Sequence, residues 1–397
     1  MNTPHAPSSP QAPLSSPGQS TTERHVVALY SGGLDSILAI KLLEVQGVRV
    51  TPLHFVSPFF GKPQMVHFWK KTYNISPLLV DAGEDFVAML AKRPAHGFGK
   101  VLNPCVDCKI LMLRKARTIM QEMGASAIIS GEVLGQRPMS QRSDALNLIR
   151  NEARVKDVLV RPLSALKLPE TAPEQAGIID RSRLMGIYGR GRKDQMALAA
   201  RFGITTIPTP GGGCNLGEKE KARSYWQILT KLPCPTARDF YLADGGRQLW
   251  DFGSSPQWLV IGRNQDSNDI LMHHAGPEDI LLKARDFSGP IALFHSMGRE
   301  AVPLEQQAHT PLVLQVAALV ASYSPKAVKE YAESSQPVVM RLHKGSLDAP
   351  GLELAVIPSR EGSSFAEAVW DNAREEIRAE SRNTSAAFTL ATEAPPA

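Results

Sequence analysis

The order of apolar and polar positions divides the chain into two textures. Through the first half, short apolar runs alternate with stretches of helical spacing. Val26 to Tyr30 reads as a buried strand, and a helical pattern follows over about 36–46. "VRVTPLHFV" (48–56) predicts a second strand, "KPQMVHFWKKTY" (62–73) a helix, and "SPLLVD" (76–81) a third strand. In "CKILMLRKARTIMQEMG" (108–124), Ile110, Leu113, Ala116, Ile119, Met120 and Met123 fall on one helical face, and Gly124 stops the helix. "ASAIISGE" (125–132) and "DVLVRPL" (157–163) supply two more strands. This alternation predicts an α/β domain, a doubly wound parallel sheet with helices on both faces. Such sheets bind ligands at the carboxyl ends of their strands, so the loops after the strands are where chemistry is sought.

Around Pro233–Asp244 the pattern changes. From Gly245 on, short strand-like pieces are broken by Gly, Asn, Asp and Pro, with a helix near 311–323 and a strand at 336–343. This predicts a separate, smaller α+β module. The expected division is a disordered tail over 1–24, the α/β domain over 25–232, the second module over 245–345, and a disordered tail over 375–397. No internal repeat is visible. The first residues are rich in Pro and Ser and lack the apolar core of a signal peptide. No apolar run approaches the ~20 residues of a membrane helix. The expectation is therefore a cytoplasmic protein with no membrane partner. A hydrophobic fraction of 43% and a charged fraction of 21% are globular values. The net charge of +5 is compatible with a polyanionic partner without demanding one.

Three loops carry candidate chemistry. The first is "SGGLDS", residues Ser31, Gly32, Gly33, Leu34, Asp35 and Ser36, between the first strand and its helix. Glycines allow a tight turn and bring bare N–H groups close to a ligand, and the helix adds the positive end of its dipole. Together they suit a phosphate. The alternative is an ordinary capped turn. The string lacks the Lys of the common P-loop and the glycine spacing of the dinucleotide fingerprint. The second loop, "ISGEVLGQRPMSQ" (129–141), puts Gly131, Glu132, Gly135 and Gln136 at the same sheet edge, and Arg161 follows the next strand. The third is a set of cysteines. Cys105 and Cys108 form a C-x-x-C at a helix start, Cys214 follows three glycines, and Cys234 sits between two prolines. A redox pair, a zinc site completed by Cys234 or a His, an iron–sulfur cluster on three thiolates and plain buried thiols all remain open.

The loop Ser31–Ser36 resembles that of the PP-loop ATP pyrophosphatases. Together with SGEVLGQRPMSQ and LVRPLSALK, the chain over about 24–232 resembles the PP-loop domain of 4-thiouridine synthetases, which are tRNA sulfurtransferases. The cysteine trio is similar to that of thiolation enzymes carrying a cubane cluster. The resemblance implies an enzyme that uses ATP and Mg²⁺ to adenylate a tRNA uridine carbonyl oxygen, releasing pyrophosphate. A sulfur donor, sulfide or a persulfide carrier, then displaces AMP. It further implies ATP contacts from Ser31, Gly32, Gly33, Leu34, Asp35, Ser36, Gly131 and Gln136. Asp35, Cys105 and Cys214 would be catalytic, and Cys105, Cys108 and Cys214 would hold a [4Fe–4S] cluster. Neither a tRNA-binding domain before the loop nor a rhodanese domain after it is legible. The later module is similar to the RNA-binding domain of NFACT proteins through Gly262-Arg263-Asn264, Asn268-Asp269 and Gly289-Pro290. The segment 180–201 adds Arg181, Arg183, Arg190, Arg192, Lys193 and Arg201, either a phosphate contact or a solvated helix face. The rival functions are ATP-dependent amide or nitrogen transfer and non-catalytic RNA binding. The modified uridine and the oligomeric state have no sequence signal.

Overall fold

A computed structural model describes residues 24–209, 213–253, 255–297 and 302–380. Residues 1–23, 381–397 and part of the glycine run before Cys214 lie outside them. The first half is built on a five-stranded parallel sheet: β1 (His25–Leu29), β2 (Arg49–Val56), β3 (Leu78–Asp81), β4 (Ile128–Ser130) and β5 (Leu159–Val160). Their order is β3-β2-β1-β4-β5. The chain steps outward from β1 to β3 and then returns to the other side of β1. The switch point lies between β1 and β4, where Leu29 pairs with Ser130. The loops leaving these two strands are the two glycine-bearing loops of the sequence, so both open into one crevice.

The helix Leu34–Glu44 is apolar nearly all round because it is covered twice. Ile37, Ile40 and Leu43 pack on the sheet beside Val26 and Ile129, whereas Leu34, Leu38 and Leu42 pack outward against Leu198 and Ala199. The outer cover is the helix Lys193–Arg201, within the basic segment, so that segment is more than a solvated face. On the opposite side of the sheet, the helix Cys105–Glu122 buries Ile110, Leu113, Ala116 and Met120 against Val27, Leu53 and Ile128. Met123 is 39% exposed because the helix is ending there, and Gly124 follows with φ +61°. Its sixth expected core position is thus lost to the cap.

The second half is a seven-stranded sheet: β6 (Arg247–Asp251), β7 (Gln257–Ile261), β8 (Ile280–Ala284), β9 (Ala292–Phe294), β10 (Val338–Lys344), β11 (Gly351–Val356) and β12 (Phe365–Ala366). Every pairing in it is antiparallel. Its strands run to Ala366, past the expected boundary at 345. Period-two alternation splits β7 between two cores. Leu259 and Ile261 face the helix Pro311–Ala321 through Val313, Val316 and Val320. Trp258 and Val260 face Trp226 and Phe240, in a core that continues into Phe59, Phe86 and Leu90 of the first half. A final helix over 370–380 closes this core with Ala373 and Ile377, where a tail was expected from 375. Trp226 Nε1 donates to Glu376 Oε2 at 2.5 Å and ties that helix in place.

Candidate active site

The turn after β1 is held by its own hydroxyls. Ser36 Oγ donates to Gly33 O at 2.7 Å and lies 3.4 Å from both the Ser31 N–H and Ser31 Oγ. Gly33 N–H donates to Ser31 Oγ at 3.3 Å. Gly32 has φ +76°, and a Cβ there would meet the Trp69 ring at 2.5 Å. Gly131, leaving β4, is required for a different reason: a Cβ would lie 2.6 Å from the backbone C and O of Asp35. The two loops therefore touch backbone to backbone, a packing that only glycine permits.

Gln136 reaches back across this contact. Its Nε2 donates to Asp35 Oδ2 at 3.1 Å, and Arg192 Nη2 stands 3.8 Å from Asp35 Oδ1. Burial pushes the Asp35 carboxyl up, while Gln136, Arg192, Arg137 and Gln195 pull the other way and do not fully offset it. Around this carboxylate several buried polar atoms have no hydrogen-bond partner, among them Gln136 Oε1, Arg192 Nε and Gln195 Oε1, and Asp35 Oδ1 has no close one. Buried polar groups are nearly always paired, so such a convergence marks a place for a polar ligand. The unpaired oxygens are hard donors of the kind Mg²⁺ accepts, and the unpaired N–H groups suit phosphate oxygens.

A buried charge chain leads from β4 to the cysteines. Arg161 Nε donates to Glu132 Oε2 at 3.1 Å, and Lys109 Nζ is 3.7 Å from Glu132 Oε1. Burial pushes the Glu132 carboxyl up, but Lys109 and Arg161 outweigh it and hold it below the usual range. Lys109 follows Cys108 directly, so one ion pair links the C-x-x-C helix to the β4 loop. The other side is linked through His54. Its Nδ1 donates to Tyr30 O at 2.9 Å, and its Nε2 accepts from Lys62 N–H at 2.8 Å. The Lys62 side chain then packs beside Gly213, within 3.5 Å of where a Cβ would stand.

The sequence keeps Cys214 about a hundred residues from the pair, and the fold brings it back. Leu102 N–H donates to Leu216 O at 3.1 Å, which staples the two cysteine-bearing segments together. The three thiols now feel one another. Burial, then Cys214 and Cys105, push Cys108 up to about 12, with Lys109 opposing; burial and Cys105 push Cys214 up to about 11. Asn103 Nδ2 donates to Cys105 Sγ at 3.2 Å. Cys234 stands apart and exposed. Among the described residues, no three His, Cys, Asp or Glu side chains are grouped to hold a metal ion. The cluster expected at Cys105, Cys108 and Cys214 is thus not shown, although the three thiols lie near enough to act on one another electrostatically.

Sequence reasoning missed Lys109, Lys62, His54 and Gln195. Each acts through a contact distant in sequence, and none sits in a recognisable motif. The NFACT-like residues are used locally. Asn264 caps the helix Gln265–His274 by accepting from Ser267 N–H at 3.0 Å, and Asn268 Oδ1 accepts from Ile291 N–H at 3.1 Å.

The β3-β2-β1-β4-β5 parallel sheet places the Ser-Gly-Gly-Leu-Asp-Ser turn at its switch point with a second glycine loop packed on it, the arrangement that the resemblance to PP-loop domains predicts. In agreement, residues 21–172 match the family model "Thiamine biosynthesis protein (ThiI)". The chain is 30% identical over 172 residues to a probable tRNA sulfurtransferase of Thermococcus kodakarensis, covering 42% of each protein. It is 27% identical over 271 residues to a tRNA sulfurtransferase of Desulfurococcus amylolyticus, covering 65% of this chain and 48% of that one. The chain thus spans less than half the length of these curated relatives. A solved structure, a predicted subunit of tRNA methyltransferase from Methanocaldococcus jannaschii, aligns with 44% of this chain and 75% of its own at 15% identity and a TM-score of 0.29. Cys214 and the segment that contributes Arg192 lie beyond the residues matched by the family model.

Proposed function

We propose that the protein is an ATP-dependent tRNA sulfurtransferase that thiolates a uridine. The reading is supported by a Ser-Gly-Gly-Leu-Asp-Ser turn packed on a second glycine loop, together with three cysteines whose segments are hydrogen-bonded to each other and whose thiols act on one another electrostatically. ATP would lie with its phosphates on the Ser31–Ser36 turn, where backbone N–H groups and two hydroxyls meet the charge that develops on the leaving pyrophosphate. Leu34, Gly131 and Gln136 would complete the ATP contacts. Asp35 Oδ1 and Gln136 Oε1 are the oxygens that would hold Mg²⁺, which would supply charge neutralisation to the phosphates. The uridine carbonyl oxygen attacks the α-phosphorus and pyrophosphate leaves. The adenylated carbon is then electrophilic.

Sulfur would arrive from the cysteines. A persulfide on Cys214 or Cys105 attacks the carbon, AMP leaves, and a neighbouring thiol frees the thiolated base as a disulfide forms. An external reductant restores the thiols. A [4Fe–4S] cluster on Cys105, Cys108 and Cys214 would instead supply an open iron for sulfide. Thiols pushed up to about 12 and 11 are protonated at neutral pH, so loading must remove protons by either route. The second module would serve as the RNA-facing surface, a proposal resting on its NFACT-like residues.

The test is product analysis with ATP, a sulfur source and unmodified tRNA. AMP, pyrophosphate and a thiolated nucleoside are expected. ADP and phosphate would remove the PP-loop chemistry, and AMP without a thiolated base would point to another acceptor. Anaerobic purification with iron and sulfide analysis separates persulfide from cluster.

A further inference from the structure

The segment that delivers Arg192 to Asp35 also delivers an exposed aromatic ring. Tyr188 is 67% exposed, the most exposed of the large apolar and aromatic side chains described. Its backbone is nevertheless fixed. Tyr188 bridges to Leu134 in parallel register, and Gly189 N–H donates to Leu134 O at 2.8 Å. Ser164 clamps both segments: its Oγ accepts from Leu134 N–H at 3.0 Å and donates to Ile187 O at 2.7 Å. The ring edge lies on Gly135, where a Cβ would stand 3.1 Å from it, and Gly135 has φ +77°. Gly135 precedes Gln136, which holds Asp35, and Arg192 reaches the same carboxylate from four residues after the ring. Two independent paths thus tie Tyr188 to the reaction centre. The chain after the ring is uncrowded, since a Cβ at Gly189 or Gly191 would meet nothing within 4 Å. Arg190 and Arg192 follow the ring in the chain, and Arg137 and Arg192 both act on the Asp35 carboxylate.

A solvent-facing ring on a fixed backbone, tied to the candidate nucleotide site and followed by an uncrowded chain that carries arginines, has the make-up of a base-stacking platform. We propose that Tyr188 stacks the RNA base that is to be adenylated and holds its carbonyl oxygen towards the phosphates on the Ser31–Ser36 turn. This rests on the RNA-modifying reading above. It adds a binding residue that lies outside the stretch matched by the family model. The ring is assigned to RNA in preference to the ATP adenine because of its 67% exposure, which suits a large ligand approaching from solvent better than a nucleotide enclosed at the strand ends.

The test uses the full chain with Tyr188→Ala and Tyr188→Phe, measuring RNA-dependent AMP formation, RNA binding by filter retention and ATP binding by calorimetry. Loss of one stacked base weakens binding by roughly tenfold to a hundredfold. Tyr188→Ala should raise the KM for RNA and weaken RNA binding by that factor while ATP affinity stays unchanged, and Tyr188→Phe should restore both. Equal RNA parameters in all three proteins would overturn the proposal. So would a loss confined to ATP, which would assign the ring to adenine. Failure of the underlying reading looks different: the unsubstituted protein would then form no AMP with any RNA. In that case filter binding of a uridine-rich oligoribonucleotide still decides for or against the ring.

Discussion

Asp35 carries a half-buried carboxylate at the proposed nucleotide site, and its ionisation separates a stability role from a catalytic one. Burial raises its pKa above the ordinary range despite Gln136 and Arg192. A carboxyl whose folded pKa is raised gives stability that is full below the ordinary Asp range and is lost as pH rises through the folded value. Asp35→Asn should therefore raise the melting temperature at neutral pH, with the gain vanishing in acid, while turnover falls by roughly 10²–10³-fold. Thermal melts at two pH values, set beside AMP release, check this; a destabilised Asn variant at neutral pH would contradict it. The thiols make a second case. Cys234 is exposed, whereas Cys108 and Cys214 are pushed up to about 12 and about 11. Alkylation at pH 8 should label Cys234 first and leave the other two largely unmodified, with their rates climbing towards the raised values. Serine at Cys105, Cys108 or Cys214 should abolish thiolation and serine at Cys234 should not, as nucleoside mass spectrometry would reveal.

At the scale of elements, what was legible in the sequence followed local rules. The parallel sheet came from alternating strand and helix patterns, and the two glycine loops from residues that only a close approach explains. Less legible were features set by distant partners. Helix Lys193–Arg201 reads as a basic surface segment because its apolar face covers another helix and not the sheet. Met123 has the right helical phase yet sits at the cap. Glu132 reads as a turn residue until Lys109 and Arg161 close on it from other elements. The glycine contact gives a sharp expectation. At Gly131 a Cβ would meet Asp35 backbone, which cannot swing aside as a side chain can. Gly131→Ala should cost about 1–3 kcal/mol of stability, typical of overpacking, and displace the Ser31–Ser36 turn enough to lose ATP binding. At Gly32 the obstacle is the Trp69 ring, and the left-handed φ adds strain. Trimming Trp69 should therefore only partly rescue Gly32→Ala, as calorimetric ATP titrations would register.

At the scale of the whole molecule, the change of texture near Asp244 does not separate the two halves energetically. One core runs from Phe59, Phe86 and Leu90 through Trp226 and Phe240 to Trp250, Trp258 and Leu293, and the same cluster packs against Cys108 and Cys214. Trp258 lies at its centre, stacked on Trp250 at 5.2 Å between ring centroids and donating through Nε1 to Gln248 Oε1 at 2.6 Å. Cutting the chain after Asp244 would expose this core, so truncation is a poor probe of what the second module binds; charge reversal on its surface keeps the core intact. A point substitution can instead read the coupling. Trp258→Ala removes a fully buried ring and leaves Gln248 Oε1 without its donor, at a cost of about 3–5 kcal/mol. If the halves unfold as one unit, that loss should lower the transition of the parallel-sheet half by as much as that of the second sheet. Melts followed both by tryptophan fluorescence and by the ATP-dependent shift should then stay coincident in the variant. Should the ATP-shifted transition hold its temperature while the other falls, the shared core would carry packing without cooperativity, and the halves would act as separate folding units.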